Sequence, residues 1–181
     1  TGVKRDIQLL KQVDVAAASS VTVLDISMEK NSEPLENLLS ANVPVSYIDH
    51  HRAGDIPDSH LLKATIDTDP NTCTSLLVNQ QLNGQFINWA IAAAYGDNMI
   101  ASAEQLADQQ NISAEDREQL KNLGIYINYN GYGRGVDDLH FAPADLFKAL
   151  LQYPEPLELI NESDSIFHQL QQAYNDDMSQ A

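Results

Sequence analysis

The sequence predicts an α/β fold with a doubly wound parallel sheet and a helical C-terminal extension. Short apolar runs alternate with amphipathic helical patterns, and two of these runs, at residues 21–27 and 43–49, lead to acidic residues. Nearly continuous, β-branched runs of this kind are typical of parallel strands that are buried on both faces. Ligand sites in open α/β sheets lie beyond the carboxyl ends of such strands. We therefore expect the acidic residues at these strand ends to mark a site.

The first elements form a predicted β-α-β unit. A helix is expected around residues 6–12, with Ile7 on its apolar side, and the first strand follows at residues 21–27. A proline in the first turn starts a helix over about residues 32–41. The second strand follows at residues 43–49. The crossover between these two parallel strands is expected to be right-handed.

The downstream elements are mostly helical. Ser113 begins one of these helices through a capping arrangement with the acidic residues that follow it. We divide the chain into a core domain at residues 1–110 and a helical connector at residues 111–181. The further expected elements are a strand at 61–66 and helices at 72–82, at 86–95, from 113 past 123, from Pro143, and from Ser163 or Ser165.

Several large apolar residues are assigned to packing. Trp89 lies in an apolar helical run and is expected in the core. Tyr126, Tyr129 and Tyr132 could stack a nucleobase, but tyrosines that flank a helix end more often pack against a core. The helix from Pro143 is expected to turn four side chains inward: Leu146, Phe147, Leu150 and Leu151.

Composition sets outer bounds on function. No apolar run approaches the roughly 20 residues of a membrane helix and no signal-peptide pattern opens the chain, so we expect a soluble, cytoplasmic protein with no membrane partner. The single cysteine, Cys73, cannot form an internal disulfide and is expected to be buried near a helix start. A net charge of −16 disfavours a long basic track for nucleic acid. It is compatible with phosphate chemistry only if bound cations reverse the local field.

The candidate site residues follow the predicted strands and one buried helix. Carboxylates beside imidazoles are a common ligand set for divalent transition metals. A parallel topology would bring five residues to one edge of the sheet: Asp25, Asp49, His50, His51 and Asp97.

This ordered set resembles the motifs of the DHH phosphoesterase superfamily, which includes manganese-dependent inorganic pyrophosphatases, exopolyphosphatases, oligoribonucleases and RecJ-type exonucleases. Asp25 stands in the place of the metal-bridging aspartate of the second motif. Asp49-His50-His51 matches the third motif letter for letter, and Asp97, in Tyr-Gly-Asp, suits the fourth.

The first motif of the superfamily, an aspartate-x-aspartate on the first strand, does not occur before Asp25. The glycine-rich histidine motif of the C-terminal substrate domain is also absent. We therefore expect that a strand and helix with the first motif precede Thr1 in the parent protein, and that this chain alone is inactive or nearly so. An unpaired sheet edge left by a missing strand would favour a homodimer.

The resemblance implies a hydrolase that cleaves a phosphate ester or phosphoanhydride with water activated by two divalent cations, Mn²⁺ or Mg²⁺. Asp25 would bridge the cations, and His50 and Asp97 would be ligands of one of them. His51 would face the substrate phosphate as a catalytic residue, and Asp49 would hold an imidazole tautomer. The implied partners are a phosphorylated small molecule, such as a small nucleotide or polyphosphate, or a short nucleic acid.

The glycine-rich segment at residues 131–135 is most simply a connector, because glycine-x-glycine spacing recurs in ordinary turns. The functional hypothesis for this region assigns Arg134 to the substrate phosphate and His140 to the lining of the cleft.

Two other classes of function stay open. A DHH-like domain with a degraded site would serve as a non-catalytic nucleotide-binding or interaction module. Residues 23–28 also resemble the phosphoacceptor strand of response-regulator receiver domains. Receivers, however, need an acidic pair upstream and have no use for the histidine pair.

Overall fold

The computed structural model describes residues 2–4 and 6–180 and shows a mixed α/β protein with a three-stranded parallel sheet and, within those residues, eight α-helices. The α/β class predicted from the sequence is therefore confirmed, whereas the doubly wound arrangement stays a prediction. Thr1, Arg5 and Ala181, which the predicted domain boundaries include, lie outside the described residues.

The described residues fall into two compact units. We call residues 6–78 the sheet unit, and residues 2–4 with 79–180 the helical unit. The domain boundary expected near residue 110 stays a prediction.

The sheet unit contains the parallel sheet, in the order β1-β2-β3. Leu24 pairs with Ile48, and Asp49 pairs with Ile66, so the carboxyl ends of the strands meet at one edge. The elements in chain order are a 3₁₀ turn Leu9–Gln12, β1 Val21–Leu24, a 3₁₀ turn Glu29–Asn31, α1 Ser32–Ser40, β2 Val45–Asp49, β3 Leu62–Ile66, and the start of α2 Thr74–Gln81.

The core of the sheet unit is formed by alternate residues of the strands and by the apolar side of α1. Val23 on β1 and Val45 and Tyr47 on β2 are buried, and Leu35 and Leu38 of α1 are buried as well. The apolar pattern that predicted the β-α-β unit is thus the pattern that closes this core.

The helix expected around residues 6–12 is wrong, because only the 3₁₀ turn Leu9–Gln12 forms. The side chain of Asn31, which is fully buried, forms hydrogen bonds with backbone groups of this segment. Its Nδ2 donates to the carbonyl of Ile7 at 2.7 Å, and its Oδ1 accepts from the backbone N–H of Leu10 at 3.2 Å. These bonds replace helical ones, and Ile7 remains exposed.

The helical unit contains the end of α2 and six further α-helices. Ser113 caps the longest of them by accepting from the backbone N–H of Asp116 at 3.1 Å, as the sequence predicted. The elements are α3 Ile87–Gly96, α4 Ile100–Gln109, α5 Ala114–Tyr129, a 3₁₀ turn Val136–Asp138, α6 Pro143–Leu150, α7 Pro156–Asn161 and α8 Ile166–Gln180.

Two of these helices, α4 and α7, were not predicted. The buried residues of α4 are Ala103 and Ala107, and no side chain caps its start at Met99. Small buried residues and an uncapped start give a weak helical pattern in the sequence. In α7 only six residues are helical, too few for a periodic pattern to stand out.

Helices α3 and α5 pack at two glycines. A Cβ on Gly124 would clash with the carbonyl oxygen of Ala92, and a Cβ on Gly96 would lie 2.7 Å from the carbonyl oxygen of Gly124. The close approach of the two helices therefore requires glycine at position 124.

Some packing predictions are wrong. Leu146 on α6 is buried, but Phe147 and Leu151 are 52% and 65% exposed. These two residues are one helical turn apart, so they share a face, and that face of α6 points to solvent. Tyr126 packs as expected, whereas Tyr132 is 61% exposed.

The remaining aromatic and cysteine predictions hold in part. Trp89 is half-buried rather than in the core, and its Nε1–H donates to the carbonyl of Tyr153 at 2.9 Å. Cys73 is buried and directly precedes α2, as predicted. Along the described part of the chain, none of the helices has the length and apolar character needed to cross a membrane.

Candidate metal centre

Asp25 lies directly beyond the end of β1. Its backbone has φ of 61°, in the left-handed region, which aspartate tolerates better than most residues do. Its backbone N–H donates to the carbonyl of Ile48 at 3.1 Å, so the pairing of β1 with β2 continues to this residue. The Asp25 side chain is therefore held beside the end of β2, and it is 56% exposed.

Asp49, the last residue of β2, is fully buried and contacts His51. His51 Nδ1 lies 2.7 Å from Asp49 Oδ1. Because the carboxylate is the acceptor in this bond, Nδ1 of His51 carries the proton, and Nε2 of the neutral ring keeps its lone pair. The contact needed for the expected role of Asp49, holding an imidazole tautomer, is thus present.

His50 is fixed in the same way by a backbone carbonyl. Its Nδ1 donates to the carbonyl oxygen of Thr72 at 3.1 Å, because a carbonyl oxygen can only accept. Nε2 of the neutral ring therefore carries a lone pair, and it lies 3.5 Å from Oδ1 of Asp25. A proton on Nε2 or a metal ion bound by both atoms would each make this contact favourable.

Asp25, His50 and His51 form one cluster. Each contributes one ligand atom, and these three atoms lie within 4.8 Å of one another. The imidazole rings are 4.5 Å apart between centroids at an interplanar angle of 63°. His51 is 48% exposed and Asp25 is more than half exposed, so the cluster is open to solvent. No other group of this kind occurs among the residues that the structure describes.

Thr74, the first residue of α2, also contacts the cluster. It is buried, and its Oγ1 donates to Oδ1 of Asp25 at 2.7 Å. The sequence pattern predicted only a helix start in this region, so Thr74 was not among the predicted site residues. The signal that could have found it is a hydroxyl residue at the start of a helix that follows a strand of the predicted sheet.

Tyr47 supports the backbone next to Asp25. Its hydroxyl donates to the carbonyl of Ile26 at 2.8 Å. Burial, together with the negative charge of Asp49, raises the pKa of Tyr47 far above its ordinary value. Tyr47 is therefore a neutral donor that ties β2 to the residue that follows Asp25.

The other predicted site residues lie in the helical unit. Asp97 directly follows α3, is half-buried, and donates through its backbone N–H to the carbonyl of Ala93 at 2.9 Å. Arg134 is exposed, and its backbone N–H donates to Asp138 Oδ2 at 2.9 Å. The roles assigned to Asp97 and Arg134 stay predictions.

His140 is held in a separate hydrogen-bonded group. Its Nε2 lies 2.7 Å from Asp177 Oδ2, which also accepts from the hydroxyl of Tyr129 at 2.9 Å. The bond to His140, followed by that to Tyr129, lowers the pKa of Asp177. This contact accounts for the orientation of His140 within the helical unit, and its assignment to a substrate cleft stays a prediction.

No family model, curated protein or solved structure matched the chain. The resemblance to DHH phosphoesterases therefore rests on the ordered motifs alone.

The donor set of the cluster fits a divalent transition metal. Two imidazole nitrogens and one carboxylate suit Mn²⁺, Fe²⁺ or Zn²⁺, whereas Mg²⁺ prefers oxygen ligands and retains several waters. Asp25, His50 and His51 would be the residues that hold the ion.

Proposed function

We propose that this chain contains the metal-binding part of a phosphoesterase that hydrolyses a phosphate ester or phosphoanhydride. The observation that carries the proposal is the convergence of Asp25, His50 and His51, with Nε2 of His50 lying 3.5 Å from Oδ1 of Asp25. The motif order described above supports the choice of reaction.

A metal ion accounts for this arrangement better than a proton does. A proton on His50 would satisfy one pair of atoms, Nε2 of His50 and Oδ1 of Asp25. A metal ion would satisfy three donors at once, including His51, whose Nδ1 is already committed to Asp49. Fixing the tautomer of a ligand through its second nitrogen is the usual arrangement around protein-bound metals.

The ion would act as a Lewis acid toward phosphoryl oxygens and would lower the pKa of a bound water. The residues of the chain hold the donors in place. Asp49 and the carbonyl of Thr72 orient the two imidazoles, and Thr74 orients the carboxylate of Asp25. In this proposal His51 is a metal ligand, which departs from the contact with substrate phosphate that the family motif implies for it.

Local charge is consistent with this proposal. The chain carries a net charge of −16, which repels phosphorylated substrates. A divalent cation on Asp25, His50 and His51 reverses the sign of the field at the site. By the proposed mechanism, substrate binding requires the metal. By the family motifs alone, Asp97 would be a ligand of the same cation as His50, and Asp25 would bridge that cation to a second one.

Two other functions are compatible with the same cluster. A non-catalytic module would bind the metal and a nucleotide without hydrolysis. Two imidazoles and a carboxylate also hold iron(II) in oxygenases, so the donor set alone does not choose the reaction. The phosphoesterase hypothesis is favoured because Asp-His-His begins at the last residue of β2, which pairs with the strand that leads to Asp25.

The test is Mn²⁺-dependent hydrolysis of a generic phosphodiester and of pyrophosphate, measured with the longest form of the protein that contains this sequence. Asp25→Ala and His50→Ala should each abolish the activity, whereas His60→Ala, at an exposed histidine of the same unit, should retain it. Mn²⁺ binding without hydrolysis of either substrate would favour the non-catalytic module. Activity that survives in both site variants would refute the proposed function.

A further inference from the structure

One short segment contacts two of the three residues in the cluster. The carbonyl oxygen of Thr72 accepts from His50 Nδ1 at 3.1 Å, and the hydroxyl of Thr74 donates to Asp25 Oδ1 at 2.7 Å. Thr72 lies just before α2, and Thr74 is its first residue. Neither residue belongs to the strands that deliver Asp25 and His50.

The hydroxyl of Thr74 contacts Oδ1 of Asp25. Oδ1 of Asp25 is also the atom that lies 3.5 Å from His50 Nε2. A hydroxyl that donates to a carboxylate at 2.7 Å makes a charge-assisted hydrogen bond, which is stronger than a neutral one. It therefore sets the direction in which the remaining lone pairs of this oxygen point.

The side chain of Thr74 is more restricted by its surroundings than the side chain of Asp25. Thr74 is buried and β-branched, so its χ1 rotation is restricted. Asp25 is more than half exposed and follows the end of a strand. The hydrogen bond therefore holds the exposed carboxylate of Asp25 to a restricted side chain at the start of α2.

We propose that Thr74 is a positioning residue for the metal site and acts through the carboxylate of Asp25, while the backbone of Thr72 does the same for His50. This inference rests on the proposed function, since it assumes that Asp25 and His50 are metal ligands. The two threonines contribute through different chemical groups. Thr74 acts through its side chain, and Thr72 acts through a carbonyl that any residue supplies.

The test measures the dissociation constant for Mn²⁺ by isothermal titration calorimetry with the full chain. Thr74→Val keeps the shape of the side chain but removes the hydroxyl, and it should weaken Mn²⁺ binding about tenfold or more. Thr74→Ser restores the hydroxyl and should bind close to the wild-type value. Thr72→Val is the matched control, and it should bind like the wild type because only the carbonyl is used.

A second readout follows the ligand geometry directly. The visible absorption of bound Co²⁺ depends on the arrangement of its ligands, so Thr74→Val should shift the spectrum and Thr74→Ser should restore it. If Thr74→Val fails to fold by circular dichroism, Thr74→Ala, which also lacks the hydroxyl, takes its place with the same expected loss of affinity.

The outcomes separate this inference from the proposed function. Equal Mn²⁺ affinity in the wild type and Thr74→Val would overturn the inference alone, as would an equal loss in Thr74→Val and Thr74→Ser. A wild-type chain that binds no Mn²⁺ would overturn the proposed function and this inference with it.

Discussion

Asp49 Oδ1 lies 2.7 Å from His51 Nδ1, so a fully buried carboxylate holds an imidazole that is half in solvent. A buried carboxylate is costly unless it is hydrogen-bonded. Its second oxygen, Oδ2, has no hydrogen-bond partner among the described residues. Only one oxygen of this buried carboxylate is hydrogen-bonded, and that oxygen orients His51.

The first prediction concerns this pair. Asp49→Asn removes the charge that favours the Nδ1–H tautomer of His51, and we expect Mn²⁺ affinity to fall about tenfold. Titration calorimetry measures the effect. The control is Asp58→Asn, at an exposed acid in the same unit, which should leave the affinity unchanged. Unchanged affinity in Asp49→Asn would show that His51 is not a ligand that depends on this bond.

The second prediction concerns the close packing of α3 and α5. Gly124→Ala places a Cβ against the carbonyl of Ala92, so we expect a loss of about 1–3 kcal/mol in the free energy of unfolding. Gly135→Ala is the matched control, because a Cβ at position 135 meets no atom within 4 Å and its φ is −152°. Urea unfolding of both variants measures the difference. Equal stabilities would mean that the two helices do not approach as closely as described.

The third prediction concerns Asn31, whose side chain bonds backbone groups of Ile7, Leu10 and Ser27. Asn31→Ala leaves these groups without their partner, and each buried group that loses its bond costs on the order of 1–3 kcal/mol. We expect a clear drop in the unfolding midpoint. Asn37→Ala, on the exposed side of α1, should change it little. A midpoint that is the same in both variants would contradict the role of Asn31.

The fourth prediction concerns acid stability. The bond from His140, together with the bond from Tyr129, lowers the pKa of Asp177. Because the folded-state pKa is the lower one, the stabilisation is present above the ordinary aspartate value of about 4 and is lost as pH falls through the folded-state pKa.

Asp177→Asn should therefore be less stable than the wild type near neutral pH, and this difference should shrink in acid. Urea unfolding across the acid range measures it. Asp145→Asn, which removes an exposed carboxylate from α6, serves as the control. A difference between Asp177→Asn and the wild type that stays constant down to low pH would contradict the linkage.

The first strand is shorter than predicted, Val21–Leu24, and of its residues only Val23 is buried, so it is not buried on both faces. The sequence still predicted the order of the strands and the residues at their ends, because parallel topology brings the side chains that follow the strands to one edge. Asp25, His50 and His51 could be found in this way. Thr74 was missed, because its contact with Asp25 spans 49 positions in sequence and depends on where α2 begins.

The helical part of the chain was harder to predict. Helix α4 buries alanines at positions 103 and 107, which carry little apolar signal. For α6 too many residues were predicted to face inward, because Phe147 and Leu151 face solvent. The segment at residues 6–12 looked helical, but a distant side chain, Asn31, takes up its backbone groups.

The most direct test of the account is the binding of Mn²⁺ to the chain, followed by titration calorimetry in the wild type, His50→Ala and His60→Ala. Each variant removes one imidazole from the sheet unit. His50 belongs to the cluster, whereas His60 does not. We expect the wild type and His60→Ala to bind Mn²⁺ equally and His50→Ala to lose at least about tenfold in affinity. Equal binding by all three proteins, or no binding by the wild type, would contradict it.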